Sequence, residues 1–216
     1  MNKKITLLGG VLAATLLLPG IASASYLLDT GTPGGTGAPS VLNASQWFAA
    51  EFAATAGETI TSISAYLTPG PGQAANVPNT FTIDLYSDSN FTGRSTSRVL
   101  VDSAQATFTG DGWNVTAVNW APLTGGNYWI ALQVGSGDGT NGLDVPTESS
   151  TLTGTQPALG FAYEGPNTSS KYTTTGAPSF GVEVSTVPIP AALWLLGSGL
   201  LGLGAVGRRS RRSAAP

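Results

Sequence analysis

Residues 80–87 read Thr-Phe-Thr-Ile-Asp-Leu-Tyr-Ser and alternate cleanly between apolar and polar side chains. Phe81, Ile83 and Leu85 fall on one side of this period, and the residues between them fall on the other. Because successive side chains of a strand point to opposite faces, the pattern predicts a strand with one face in a core and the other toward solvent. This stretch sets the expectation for the rest of the chain.

Other stretches of the sequence also have the composition of strands. Residues 127–134 are almost continuously apolar, which predicts a central strand. Runs rich in Thr, Val, Ile and aromatic residues predict further strands at 47–54, 58–67, 98–109, 113–120, 159–164 and 179–185. Glycine-containing turn sequences separate them at 68–72, 110–112, 125–126 and 135–142. Eight or nine short strands without a helical period between them predict an all-β domain, a two-sheet antiparallel sandwich.

Composition supports this class and excludes others. The 216 residues include 29 Gly and 14 Pro, too many for long helices, and no Cys or His. The chain therefore has no disulfide, no thiolate or imidazole metal ligand and no Ser-His-Asp triad. An isoelectric point near 4.7 argues against binding of nucleic acid. The length suggests one folded domain plus additional segments.

Charge is segregated along the chain. Residues 25–187 contain three basic and all twelve acidic residues, a net charge of −9, while the other six basic residues lie near the two ends. Lys3 and Lys4 precede an apolar run, Ile5–Leu18, and Ala22 and Ala24 supply the small side chains of a cleavage site before Ser25. This layout predicts a signal peptide over 1–24 that signal peptidase removes. The alternative is an uncleaved anchor, although the apolar run is short for a span.

The C-terminal segment has a second apolar run. Residues 189–207 carry no charge, and a helix of that length reaches ~28 Å, close to the ~30 Å hydrocarbon core. Four arginines follow: Arg208, Arg209, Arg211 and Arg212. By the positive-inside rule they stay in the cytoplasm, which predicts a transmembrane helix and a domain outside the cytoplasmic membrane. A buried core helix is the alternative, but five glycines make the run a poor soluble helix.

These residues resemble a known sorting signal. The motif Val187-Pro188-Ile189-Pro190, the apolar helix containing Trp194 and the arginine tail are similar to the PEP-CTERM signal of Gram-negative bacteria, in its Val-Pro-Leu-Pro-Ala variant. The resemblance implies an exosortase-type membrane enzyme that processes residues 188–216, and a link to exopolysaccharide and biofilm. Ile189 stands where the Pro-Glu-Pro core has glutamate, so the resemblance does not define the cut site.

The domain itself resembles jelly-roll domains of the choice-of-anchor kind, which often precede this signal. The resemblance rests on Trp47-Phe48, Ile60–Ile63, Leu85–Asp88 and the stretch from Leu123 into Tyr128-Trp129. It implies that the 25–187 sandwich is a jelly roll, between an N-terminal signal helix and the C-terminal membrane helix.

Sites for ligands are sparse. Asp138, Asn141 and Asp144 place three oxygen ligands in one glycine-rich loop, which predicts a calcium site, and residues 88–93 are a weaker candidate. The alternative is that these residues are ordinary turn formers, and no other cofactor is expected.

Aromatic side chains are the candidates for binding sugars. Trp113 and Trp120 have opposite parity along one predicted strand, so at least one belongs to the core, and Tyr86 is the better surface candidate. Glu51, Asp84 and Glu183 are predicted to face solvent.

The sequence thus predicts an exported, non-enzymatic surface or matrix protein. The alternatives are a carbohydrate-binding sandwich, with or without calcium, and a glycoside-active enzyme that uses paired carboxylates.

Overall fold

The computed structural model describes residues 25–34, 40–70, 79–87, 91, 99–121, 123–135, 138, 142–148, 152–165 and 172–187. These residues lie within one compact unit, Ser23–Ile189. Thirteen strands follow one another: β1 (Ser25–Asp29), β2 (Ser40–Leu42), β3 (Trp47–Ala54), β4 (Thr59–Pro69), β5 (Asn79–Ser87), β6 (Leu100–Phe108), β7 (Gly112–Ala117), β8 (Gly126–Gln133), β9 (Leu143–Val145), β10 (Thr147–Glu148), β11 (Gly160–Glu164), β12 (Ser179–Phe180) and β13 (Val182–Val187).

The strands form two main antiparallel sheets. One has the order β1-β13-β4-β9-β2, with β7 also paired to β4, and the other has the order β11-β3-β8-β5-β6. Strands β10 and β12 make a separate pair. The all-β prediction is confirmed, and β8 lies at the centre of its sheet as its apolar run predicts.

The inner faces of the two sheets enclose one hydrophobic core, as expected for a β-sandwich. Phe81, Ile83 and Leu85 of β5 are fully buried there, which confirms the face assigned to them by their alternation. Phe48 of β3 and Phe180 of β12 meet edge to face, with ring centroids 5.9 Å apart. The core therefore draws on residues more than 130 positions apart.

Two differences from the predicted strands have local causes. The expected strand 179–185 is divided at Gly181, where a Cβ atom would lie 2.6 Å from the Tyr66 Cβ and 2.8 Å from the Pro33 Cδ. Only glycine lets the chain pass there from β12 into β13. The expected strand 113–120 ends at Ala117, and its continuation bonds irregularly to β4 through Trp120 N and Ile60 O.

Candidate functional site

The first and the last residues of the sandwich domain lie side by side. Ser25, the first residue of β1, pairs with Thr186 of β13, and their hydroxyl oxygens are 3.1 Å apart. Val187, the last residue of β13, pairs with Thr59 at the start of β4. The predicted cleavage point before Ser25 and the start of the predicted sorting motif are therefore attached to neighbouring strands.

The remaining residues of both predicted signals lie outside the described residues. They are Ala22, Ala24, Pro188, Ile189, Pro190, Trp194, Arg208, Arg209, Arg211 and Arg212. In the part of the chain that the structure describes, no helix has the length and apolar character needed to cross a membrane.

Asp138 of the predicted calcium loop is used in hydrogen bonds within the protein. Thr82 Oγ1 donates to its Oδ2 at 2.8 Å, and Gln105 Nε2 donates to its Oδ1 at 3.1 Å. The backbone N–H of Gly135 also donates to Oδ2. This carboxylate fastens the loop after β8 to β5 and β6, which is the role of a turn former.

Asp144 has a different environment. It is buried in β9 opposite Val41 of β2, and its Oδ1 has no hydrogen-bond partner. Burial raises the pKa of this carboxyl group. Asn141 lies outside the described residues, and within the described segments no three acidic side chains gather to hold a metal ion. Calcium binding stays a prediction.

Tyr86 and Asp84 overturn the prediction made for them. Both are buried, although they point away from the main core. The Tyr86 hydroxyl donates to Asp84 Oδ2 at 3.0 Å, and Gln133 Nε2 donates to the hydroxyls of Tyr86 and Tyr172 at 3.1 Å each. The predictions that Tyr86 lies on the surface and that Asp84 faces solvent are therefore wrong.

The cover over this face explains the error. Phe91 stacks on Trp129 of β8, with ring centroids 4.6 Å apart and planes at 10°, and it also contacts Tyr172 at 4.6 Å. Phe91 and Tyr172 lie outside the strands, so strand periodicity cannot indicate which face they cover. A second, smaller apolar cluster therefore lies on the outer face of the β11-β3-β8-β5-β6 sheet.

The expectation that at least one of the two tryptophans belongs to the core is confirmed, although β7 ends before Trp120. Trp120 is buried, whereas Trp113 is half-buried on the outer face of the other sheet. There its ring meets Tyr66 edge to face at 5.5 Å, and its Nε1 donates to Thr32 Oγ1 at 3.2 Å. The buried ring of Trp120 has no face open for stacking on a sugar, whereas Trp113 is only partly covered.

A cavity of about 260 Å³ lies between the β8-β5-β6 part of one sheet and the segment around Trp120 that follows β7. Its lining includes Leu85, Val101, Asp102, Leu123 and Tyr128. It is smaller than the roughly 300–1,000 Å³ of typical small-molecule sites.

One pair of carboxylates has no signal in the local sequence. Asp29 and Glu183 lie directly opposite each other in β1 and β13. Burial raises the pKa of Glu183, and the neighbouring negative charge of Asp29 raises it further. A hydrogen bond from Ser64 lowers the pKa of Glu183 but does not cancel these effects. The pair was not foreseen because β1, only five residues long, was not predicted as a strand.

Asp29 itself has a structural role. Thr155 donates to its Oδ2 from Oγ1 at 2.6 Å and from the backbone N–H at 3.0 Å, and Gly31 N donates to its Oδ1 at 2.9 Å. Burial raises the pKa of Asp29, but these hydrogen bonds together outweigh burial and hold it below its usual value. The carboxylate fastens residues 155–156 to the edge of β1.

Glu51 and Glu183 are both half-buried rather than fully in solvent.

We therefore expect Asp29→Asn to lower the free energy of unfolding at pH 7 by about 1–2 kcal/mol, since an amide cannot accept at both positions. Because folding lowers the pKa of Asp29, its carboxylate stabilises the fold at pH values above the unfolded-state pKa of about 3.9. This stabilisation is lost as the pH falls through the folded-state pKa. The wild type should thus lose more stability than the variant between pH 5 and pH 2. Urea unfolding at several pH values measures this, with Asp111→Asn, at an exposed turn, as the control. Equal acid sensitivity of wild type and Asp29→Asn would contradict the assignment.

Comparisons with known proteins add no family to these observations. The chain matches no protein-family model, and a search of curated proteins finds no match either.

Proposed function

We propose that this protein is exported and non-enzymatic, a β-sandwich displayed outside the cytoplasmic membrane and held there transiently by a C-terminal sorting signal. An exosortase-type enzyme would process that signal after signal peptidase has removed residues 1–24. The mature protein would then belong to the cell surface or to the exopolysaccharide matrix.

One observation carries this proposal. The described strands run from Ser25 in β1 to Val187 in β13, so all of them lie within the segment between the two predicted signals. Removing residues before Ser25 or after Val187 takes none of the described strands out of either sheet. The charge of −9 over these residues also favours a soluble domain.

We also propose that the sandwich is a jelly roll. The order β1-β13-β4-β7 in one sheet and β3-β8-β5-β6 in the other supports two interlocked Greek keys, with β11 added at one edge. Jelly rolls host many functions, so this assignment by itself implies no activity.

The two alternatives receive less support. A carbohydrate-binding module needs accessible aromatic faces, and both Tyr86 and Trp120 are buried. A glycosidase needs two carboxylates free to react, and both oxygens of Asp29 in the Asp29–Glu183 pair already accept hydrogen bonds.

The test is to replace Arg208, Arg209, Arg211 and Arg212 with glutamine and to compare both proteins in the native host by intact mass and fractionation. In the wild type we expect a mature chain that starts at Ser25 and lacks the tail. Without its cytoplasmic charges the tail inserts poorly, so processed protein should fall several-fold. Replacing Arg94 and Arg98 of the domain with glutamine is the matched control. If the wild type and the arginine variant both keep the whole tail and are found in the same cell fractions, the segment is a permanent anchor and the sorting proposal is wrong.

A further inference from the structure

The sandwich has two ends, and we call one of them the terminus end. It is formed by Ser25, the turn 55–58, Ser87, Gly126 and Val187. The pairings Val187–Thr59, Ala54–Gly126 and Ser87–Tyr128 place these residues at the same end of both sheets. Both ends of the described chain lie there.

Exposed apolar side chains concentrate at this end. Among the described residues, six large hydrophobic side chains are exposed, and five of them lie at or near the terminus end: Tyr26, Val99, Leu100, Val101 and Leu159. Tyr26 follows Ser25, and Val99 O accepts a hydrogen bond from Ser87 N at 3.1 Å. The sixth, Val115, pairs with Ser64 in the middle of β4. Val99, Leu100 and Val101 are contiguous and form an exposed apolar patch, whereas Tyr26 and Leu159 lie at other sheet edges of the same end.

Acidic side chains do not separate the two ends in the same way. At the far end Asp111 is exposed and Asp138 is half-buried, whereas Asp144, Glu148 and Glu164 are buried. At or near the terminus end Glu51, Glu58 and Asp102 are half-buried. The terminus end is therefore distinguished by its apolar side chains and not by a lower charge.

The length of chain beyond Val187 suggests what this surface meets. The predicted membrane segment begins at residue 189, so only Pro188 separates it from the last strand residue. One extended residue spans about 3.3–3.6 Å, so Val187 lies within about 7 Å of the start of the predicted membrane segment. Apolar side chains of interfacial proteins enter the lipid to a depth of about 5–10 Å.

We propose that the terminus end docks on the outer lipid surface of the membrane while the tail is inserted. The Val99–Val101 stretch and Tyr26, on opposite sides of the chain exit, make the apolar contacts. Docking would hold the Val187–Pro190 motif at the lipid surface, where a membrane enzyme can reach it. This inference rests on the membrane anchor of the proposed function. Glu58 and Asp102 should make the surface prefer neutral to anionic lipid.

The absence of cysteine from the chain makes the test direct. The full-length chain is reconstituted in phosphatidylcholine vesicles with single cysteines, Leu100→Cys, Val115→Cys or Asp111→Cys, each labelled with an environment-sensitive fluorophore. Spin-labelled lipid should quench the Leu100 label at least about threefold more than the Asp111 and Val115 labels. Val115 is the matched control because it is equally apolar and 66% exposed but lies away from the terminus end.

A second variant separates docking from simple proximity. Changing Val99 and Val101 to serine in the Leu100→Cys chain should reduce the quenching by about half or more, since both side chains are roughly half exposed and contribute little to the core. Equal quenching at all three labels, or quenching that the serine changes leave intact, overturns the proposal. A Leu100 signal that depends on protein concentration and persists in detergent indicates contact between copies and also overturns it.

Co-flotation after an alkaline wash is recorded in every sample. A chain that fails to co-float contradicts the membrane anchor itself. A chain that co-floats without quenching at Leu100 contradicts only the docking surface.

Discussion

Replacing Phe48 with alanine should lower the free energy of unfolding of the sandwich by about 3–5 kcal/mol. The Phe48 ring is 1% exposed and packs edge to face on Phe180. Its strand lies between β11 and β8, and both partners are held by backbone pairing. Because neighbours on paired strands cannot move in to fill the space, the substitution leaves a cavity between the sheets.

Urea unfolding of residues 25–187, followed by far-UV circular dichroism, measures this effect. Val115→Ala serves as the control, because a side chain that is 66% exposed should change stability by less than about 0.5 kcal/mol. A loss below about 1 kcal/mol at Phe48 would mean that the two sheets do not share a tightly packed core. A spectrum dominated by helix in the unmutated segment would contradict the fold itself.

The second large effect is expected at Gly154, where alanine should destabilise the domain by about 2–4 kcal/mol. A Cβ atom at this position would collide with the carbonyl oxygen of Asp29 and lie 2.5 Å from Gly31 N. The obstacles are backbone atoms, which cannot rotate away. The segment would have to move, and its bonds to β1, including Asp29 N to Gln156 O at 2.7 Å, would be lost.

Gly165→Ala is the matched control for this substitution. Among the described residues, its added Cβ would meet the Tyr163 ring, at an ordinary contact distance of 3.4 Å. Urea unfolding compares the two variants, and amide exchange at Asp29 reports whether the contact with Gln156 has opened. If Gly154→Ala retains wild-type stability and slow exchange, the close approach of residues 154 and 29 is wrong.

The prediction for Gly154 bears on the proposed export. Strand β1 begins at the residue where the predicted mature chain starts, and it is an edge strand, paired in its sheet with β13. Asp29 and the 154–156 segment fasten its far end, while the Ser25–Thr186 contact fastens its beginning. Loosening this strand would expose an unpaired edge at β13, which is a hazard for aggregation outside the cell.

The candidate site could be foreseen only in part. The predicted signals follow from the order of charged and apolar residues along the chain, which local sequence contains in full. The pairing of Asp29 with Glu183 depends on strands 150 residues apart, so no local pattern could indicate it. The sequence predicts Asp138 as a calcium ligand or a turn former, but its contacts with Thr82 and Gln105 arise only when β5 and β6 lie beside the loop.

What the sequence determined by itself is the all-β class, the inner face of β5 and the central position of β8. Alternation and uninterrupted apolar runs are local patterns, and burial in a sheet imposes them directly. Strands β1, β2, β9 and β10 were not predicted; they have five residues or fewer, and a period is hard to recognise over so few, although the equally short β11 falls within the predicted strand 159–164.

Only the tertiary structure decided the outer faces and the ends. Tyr86 and Asp84 lie on the polar side of a clean alternation, yet Phe91 and Tyr172 cover them from outside the strands. The exposed apolar residues of the terminus end come from three strand edges that meet only in the folded sandwich. A face becomes core or surface according to what packs against it, and that depends on contacts between residues far apart in the chain.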